Sequence, residues 1–183
     1  MGKLERVSRT LVRQGAIIDI YDDEMRLPNG EVEHWDYVEH RMGAAAVVPV
    51  LPDGRILLVK QFRPALNRYT WELPAGCRDV KDEPTSITAK RELAEETGYS
   101  SDDISRILSL KTTVAFCNEL VDVYLAKNIY KVSEQHLDPA EDIEFKFWEV
   151  DELLPMIYSG EMQDGKTVAG ILAYTNMFNK ANN

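Results

Sequence analysis

Gly76-Cys77-Arg78-Asp79-Val80-Lys81-Asp82-Glu83-Pro84-Thr85-Ser86-Ile87-Thr88-Ala89-Lys90-Arg91-Glu92-Leu93-Ala94-Glu95-Glu96-Thr97-Gly98-Tyr99 is the stretch on which both fold and function turn. Thr85 to Thr97 contain no Gly or Pro. Pro84 suits a first helical turn, where its missing N–H leaves nothing unpaired, and Gly98 suits a left-handed stop. The spacing therefore predicts a helix over 85–97. Each helical residue advances about 100°, so Glu92 and Glu96 lie within about 40° of each other and Glu95 about 60° to the other side of Glu92. Three carboxylates share one turn, and like charges at i and i+4 cost a helix a few tenths of a kcal/mol. Such a ridge makes sense if a hard divalent cation such as Mg²⁺ neutralises it, since Mg²⁺ takes carboxylate and phosphate oxygens. The plain alternative is a Glu-rich solvated face.

Upstream, Trp71-Glu72-Leu73-Pro74-Ala75-Gly76 reads as a strand end entering a loop, so strand, loop and acidic helix follow in order. Further out, Ala16 to Tyr21 reads as strand, Leu27-Pro28-Asn29-Gly30 as a turn with the Asn-Gly hairpin signal, and Glu31 to Glu39 as an alternating second strand. Residues 44–51 and 55–61 are strands joined by Pro52-Asp53-Gly54. Ile104 to Thr113, Leu120 to Ala126 and Glu141 to Glu149 are strand-like. Leu153 to Tyr158 reads as a short helix despite Pro155. Thr167 to Asn179 reads as a terminal helix, with Val168, Ile171, Leu172 and Phe178 on one stripe. Strands and helices mixed without strict βαβ alternation indicate an α+β fold, a sheet sandwiched by helices.

At 183 residues the chain suits one domain plus an N-terminal extension, and 44% hydrophobic content is enough for a core. No run of 18 apolar residues occurs, which argues against a membrane span, and the N-terminus carries no apolar signal core, so a cytoplasmic location is expected. Cys77 and Cys117 are too few for a disulfide framework, and no Cys/His spacing suggests zinc. A net charge of −10 argues against a nucleic-acid partner. It also sits badly with a phosphate-bearing substrate, unless part of the acid surplus is a metal site that becomes locally cationic when loaded.

The acidic stretch resembles the signature of Nudix hydrolases: Gly, five residues, Glu, seven residues, then Arg-Glu-aliphatic-any-Glu-Glu-any-Gly-aliphatic. Seven residues separate Glu83 from Arg91-Glu92-Leu93-Ala94-Glu95-Glu96-Thr97-Gly98, as the pattern requires. Two positions depart from it. Six residues separate Gly76 from Glu83, so either the loop carries an insertion or Asp82 takes the glutamate's place; Tyr99 replaces the last aliphatic residue. The segments 44–50, 54–65 and 71–76, with Leu27-Pro28-Asn29-Gly30 and Asp164-Gly165-Lys166-Thr167, are similar to the ADP-ribose pyrophosphatase branch, over about residues 15 to 175.

The resemblance implies an α/β/α sandwich with a mixed sheet in residues 43–183, preceded by an antiparallel hairpin extension in 1–42 for dimerisation and base binding. It implies Mg²⁺-dependent hydrolysis of a nucleoside diphosphate sugar, ADP-ribose first, with Mn²⁺ able to substitute. Glu92 and Glu96 are the first choice of metal ligands, with Glu95 close behind and the Ala75 carbonyl completing a shell. Glu141, in a late loop, is the candidate general base or ligand, with Glu95 beside it as a catalytic candidate; an acidic strand entrance in solvent is the alternative. Arg63 resembles the arginine that grips a phosphate, against an ordinary surface arginine. Arg91 is expected to be structural, bonding carboxylates such as Glu83. Trp35 and Asp36 resemble an aromatic–acid pair that holds a nucleobase; alternatively Trp35 and Tyr37 form the core face of their strand. Glu119 is placed to meet the terminal sugar, while Glu72 and Phe116 are weaker candidates for the pocket wall. Val114 and Ala115 stand where many ADP-ribose pyrophosphatases carry Pro-Gly, which favours a broader nucleotide-sugar range. The expected assembly is a homodimer with exchanged N-terminal regions. Competing readings are a diphosphatase for a GDP-sugar or dinucleoside polyphosphate, and a ligand-binding regulator without hydrolysis; the intact box carboxylates argue against the latter.

Overall fold

The computed structural model describes residues 2–137, 139 and 142–181, the last four of these by backbone alone. In chain order the elements are β1 (Glu5–Gln14), β2 (Ile18–Arg26), β3 (Val32–His40), β4 (Ala44–Pro49), β5 (Ile56–Arg63), β6 (Arg68–Glu72), β7 (Ala75–Cys77), α1 (Thr85–Thr97), β8 (Tyr99–Ser100), β9 (Asp103–Lys111), β10 (Leu120–Lys127), β11 (Tyr130–Lys131), β12 (Ile143–Trp148), α2 (Val150–Tyr158) and α3 (Gly165–Ala181). The chain separates into two compact units, Met1–Gly43 with Lys111–Leu120, and Ala44–Leu110 with Val121–Asn183.

The first unit is built on an antiparallel sheet in the order β1-β2-β3. The Asn-Gly turn joins β2 to β3 as expected, with Gly30 at φ 92° and its N–H on the Leu27 carbonyl. The sequence reading foresaw a hairpin; the structure adds β1 as a third strand, registered from Glu5 opposite Arg26 to Gln14 opposite Asp19. β1 is exposed along most of its length, so it lacks the clean apolar alternation that reveals a half-buried strand. Its anchor is polar instead. Arg9 forks onto Asp23 at 2.6 Å through both Nε and Nη2, and its guanidinium lies 3.5 Å from the centroid of the Tyr37 ring.

In the second unit β4 runs parallel to β10 and antiparallel to β7, in a sheet ordered β7-β4-β10-β9. A second sheet is ordered β12-β5-β6. Every residue of β4 is buried, the mark of a strand covered on both faces. Its alternation splits the core in two. Ala46 and Val48 pack with Leu73, Leu153, Ile171 and Tyr174, while Ala45 and Val47 pack with Ala89 and Leu93 of α1. Helix α1 thus covers one face and α2 with α3 the other, which is the expected α/β/α sandwich. Among the described residues, no helix is long and apolar enough to cross a membrane.

Helix α1 begins and ends where the sequence predicted, but Pro84 is its N-cap (φ −59°, ψ 127°) rather than a residue of its first turn. Gly98 adopts φ 75° and returns its N–H to the Ala94 carbonyl. Helix α2 starts three residues earlier than expected, because Glu149 and Glu152 close a reciprocal capping box ahead of it. In α3 the buried stripe is Thr167, Gly170, Ile171 and Tyr174, rotated from the predicted one, of which Ile171 is buried while Val168 and Leu172 are half-buried. Gly170 explains the rotation: its bare Cα lets the helix lie against the sheet, and a Cβ there would stand 2.7 Å from Leu73 Cδ1 and 3.1 Å from Val48 Cγ2. The side chain of Phe178 lies outside the described residues. Gly170→Val should therefore lower stability by about 1–3 kcal/mol through overpacking, read as a fall in the urea midpoint.

Candidate active site

Strand β7 lies against the inner face of α1. That helix buries Thr88, Ala89, Glu92, Leu93, Glu96 and Thr97, so two carboxylates share its buried side with the apolar residues. Glu92 is 8% exposed and Glu96 3%, whereas the Glu95 side chain keeps 44%. The Ala75 N–H donates to Glu96 Oε2 at 3.2 Å. Gly76 leaves room for the Glu92 carboxylate, which a Cβ at that position would strike. Ala75 opens β7 opposite Ala46. A cleft of about 290 Å³ opens here, lined by residues of 75–79, by Arg91, Glu92 and Glu95, and by His136.

Arg91 ties the turn together. Its Nη1 donates to Glu92 Oε1 at 2.7 Å and to Glu95 Oε2 at 2.9 Å, its Nη2 donates to the Cys77 carbonyl, and its Nε is 3.3 Å from Asp79 Oδ2. The structural role expected for Arg91 is therefore met by Glu92, Glu95, Asp79 and Cys77, not by Glu83. Glu83 instead accepts from Thr88 Oγ1 at 2.7 Å and from the Asp79 N–H, holding the extra-long loop against the first turns of α1. Asp82 is exposed. As placed, no three His, Cys, Asp or Glu side chains among the described residues gather tightly enough to hold a metal ion. The donor types nevertheless fit one. Carboxylates and backbone carbonyls are hard oxygen ligands, and Arg91 supplies here the positive charge that the acidic turn requires.

Beside this turn lies another buried carboxylate, Glu72. The Glu72 side chain is 3% exposed. Its Oε1 accepts from Arg63 Nε at 2.7 Å and Thr70 Oγ1 at 2.6 Å, and its Oε2 from Arg63 Nη2 and Lys166 Nζ, both at 2.6 Å. Burial pushes the Glu72 carboxyl up, but Arg63, Lys166 and Thr70 together outweigh it and bring the pKa down to about 2. Arg63 is raised in turn, first by its bond to Glu72 against the pull of burial, and further by the charges of Asp164 and Glu96. That last influence links the arginine to the acidic turn.

The remaining candidates lie elsewhere. Trp35, Asp36 and Glu119 belong to the first unit. Trp35 is 41% exposed, stands opposite Asp23, and donates Nε1–H to Glu33 at 3.2 Å; it is not a core residue, while Tyr37 is half-buried under Arg9. Asp36 faces Asp22 across the strand pair. Glu119 accepts from Thr112 Oγ1 at 2.7 Å and lies 3.7 Å from His40 Nε2. Phe116 is exposed. Glu141 lies outside the described residues. Sequence reasoning missed Lys166 as a partner of Glu72. Its only signal was the Asp164-Gly165-Lys166-Thr167 run, ninety-four positions away from Glu72.

The family model described as the NUDIX domain matches residues 40–169. An ADP-ribose pyrophosphatase of Bacillus subtilis is 36% identical over 166 residues, covering 90% of this chain and 89% of that protein. An ADP-ribose pyrophosphatase of Mycobacterium tuberculosis is 36% identical over 171 residues, covering 92% of this chain and 82% of that protein. A crystal structure of an ADP compounds hydrolase superposes with a TM-score of 0.87 over 99% of this chain and 97% of that one; at 16% identity the likeness is one of fold.

The Glu72 carboxyl sits lower in the folded chain than its ordinary 4.5. Its stabilisation is therefore fully present above pH 4.5 and is lost as pH falls towards about 2. Discounted for the partly exposed Arg63, the contribution is about 2 kcal/mol. Urea unfolding of wild type and Glu72→Gln should show a gap of that order at pH 7 that closes between pH 4.5 and 2. A pH-independent gap would count against the ion-pair account.

Proposed function

This chain belongs to the Nudix family of hydrolases, and we propose that it cleaves the diphosphate bond of nucleoside diphosphate sugars, ADP-ribose foremost, to give AMP and ribose 5-phosphate. The observation that carries the reading is the pair Glu92 and Glu96, buried on the inner face of α1 against the Ala75–Gly76 backbone. Burying carboxylates costs several kcal/mol per ion without compensation, and carboxylates buried beside a cleft are candidates for a functional site. Glu92, Glu96 and Glu95, with the Ala75 carbonyl, are proposed to hold Mg²⁺, with Mn²⁺ as a substitute. A bound divalent cation would supply Lewis-acid stabilisation of phosphate charge and a more acidic water.

Arg63 is proposed to bind the diphosphate. Glu72 occupies its Nε and Nη2, while no partner for Nη1 is present among the described residues. Glu141 is proposed as the base that accepts the proton of the attacking water, with Glu95 as the other catalytic carboxylate. Trp35 and Asp36 are proposed to hold the nucleobase and Glu119 the terminal sugar; the exposed indole suits stacking. Exposed Val114, with Ala115, favours a range wider than ADP-ribose. We further propose a homodimer that exchanges residues 1–42 and uses them for base binding, with residues 43–183 catalytic. Edge strand β1 and the exposed Leu4, Val7, Leu11 and Val12 support that assembly. Cys77 and Cys117 form no disulfide, and action in the cytoplasm is proposed with the rest of this reading.

Glu96→Gln should leave a folded protein whose kcat on ADP-ribose, at saturating Mg²⁺, falls by roughly 10²–10³-fold. Wild-type turnover in that variant would remove the metal assignment. A parallel screen of ADP-ribose, UDP-glucose, GDP-mannose and diadenosine polyphosphates with phosphate-coupled detection ranks the substrates. Light scattering at micromolar protein should give twice the 20.9 kDa chain mass; a monomer would sink the exchanged dimer.

A further inference from the structure

The Asp164-Gly165-Lys166-Thr167 run holds no part of the proposed reaction, yet it meets the site through two buried contacts. Thr167 Oγ1 accepts the Leu73 N–H at 2.9 Å and donates to Asp164 Oδ2, which also takes the Thr167 N–H at 3.0 Å. This fastens the start of α3 to the strand end that leads into Ala75. One residue earlier, Lys166 is 13% exposed and places Nζ 2.6 Å from Glu72 Oε2 and 3.0 Å from Asp164 Oδ2.

From these contacts we propose that Lys166 is a positioning residue for substrate binding, acting through Glu72 to hold the Arg63 fork in place for the diphosphate. The inference rests on the reading of this site as a nucleoside diphosphate sugar hydrolase. A carboxylate has about four acceptor positions. Glu72 fills them with Arg63 Nε, Arg63 Nη2, Thr70 Oγ1 and Lys166 Nζ. Two cations, Arg63 and Lys166, then balance two carboxylates, Glu72 and Asp164. Without Lys166 the cluster carries a net negative charge where an anionic substrate docks, and one buried Glu72 lone pair loses its donor. Arg63, with 39% of its side chain exposed, is the member free to move in response. The nucleophile, the acidic turn and the base are untouched, so the effect falls on binding rather than on the chemical step.

The test compares wild type, Lys166→Met, Lys166→Gln and Lys166→Arg in ADP-ribose hydrolysis, alongside calorimetric binding of its non-hydrolysed methylene-diphosphonate analogue and thermal unfolding of each. Folded Lys166→Met should raise KM and weaken analogue binding by about tenfold, with kcat within about threefold of wild type. Lys166→Arg should restore both, and Lys166→Gln, which keeps a donor without the charge, should fall between. Unchanged KM in folded Lys166→Met or Lys166→Gln overturns the role, as does a loss confined to kcat or a loss that Lys166→Arg fails to rescue. If wild type neither turns over ADP-ribose nor binds the analogue, the functional reading fails and this inference with it. Wild-type activity with unaltered variants removes the inference alone.

Discussion

The second unit of this structure is organised around carboxylates that are kept out of water. Glu92 and Glu96 point inward from α1, on the face that also buries Ala89 and Leu93. A carboxylate in such a place is tolerated only where donors and positive charge meet it. Strand β7 and Arg91 do this together: the Ala75 N–H reaches Glu96, Gly76 gives Glu92 space, and Arg91 bridges Glu92, Glu95 and the Cys77 carbonyl. The position of the strand, the bare Cα at Gly76 and the packing of α1 on β4 all follow from that requirement.

Glu72 repeats the principle one strand earlier. It is as deeply buried as Glu96, and it is matched by Arg63, Thr70 and Lys166 from three separate segments. The two clusters are joined by a short stretch of chain. Leu73 packs into the core and gives its N–H to Thr167, and Ala75, two residues on, serves Glu96. The covering helices are thus coupled to the stretch that leads into β7 through backbone donors, α1 from one face and α3 from the other.

Much of this was legible in advance. The Thr85–Thr97 helix, its Gly98 stop, the Asn-Gly hairpin and the strands flanking Pro52-Asp53-Gly54 all carry local signals, and the family signature singled out the carboxylates proposed for the site. The misreadings share one cause. β1 is held by an Arg9–Asp23 fork rather than by apolar alternation, the α2 start depends on the Glu149–Glu152 box, and the α3 stripe turns on the absence of a side chain at Gly170. Each depends on a partner that periodicity does not reveal. Arg91 is structural as expected, bonding loop and helix carboxylates, but its loop partner is Asp79 rather than Glu83.

The sequence by itself determined the family, the α+β class and which residues could do chemistry, because those are carried by residue type and by spacing within one helix or one turn. Tertiary structure decided which carboxylates are buried and which cations answer them. From composition alone Glu92, Glu95 and Glu96 are equivalent; only the packing of α1 against β4 and β7 buries two and leaves the third half-exposed. The Glu72–Lys166 contact likewise spans ninety-four residues, a distance across which no local pattern operates and only the folded sheet brings charges together.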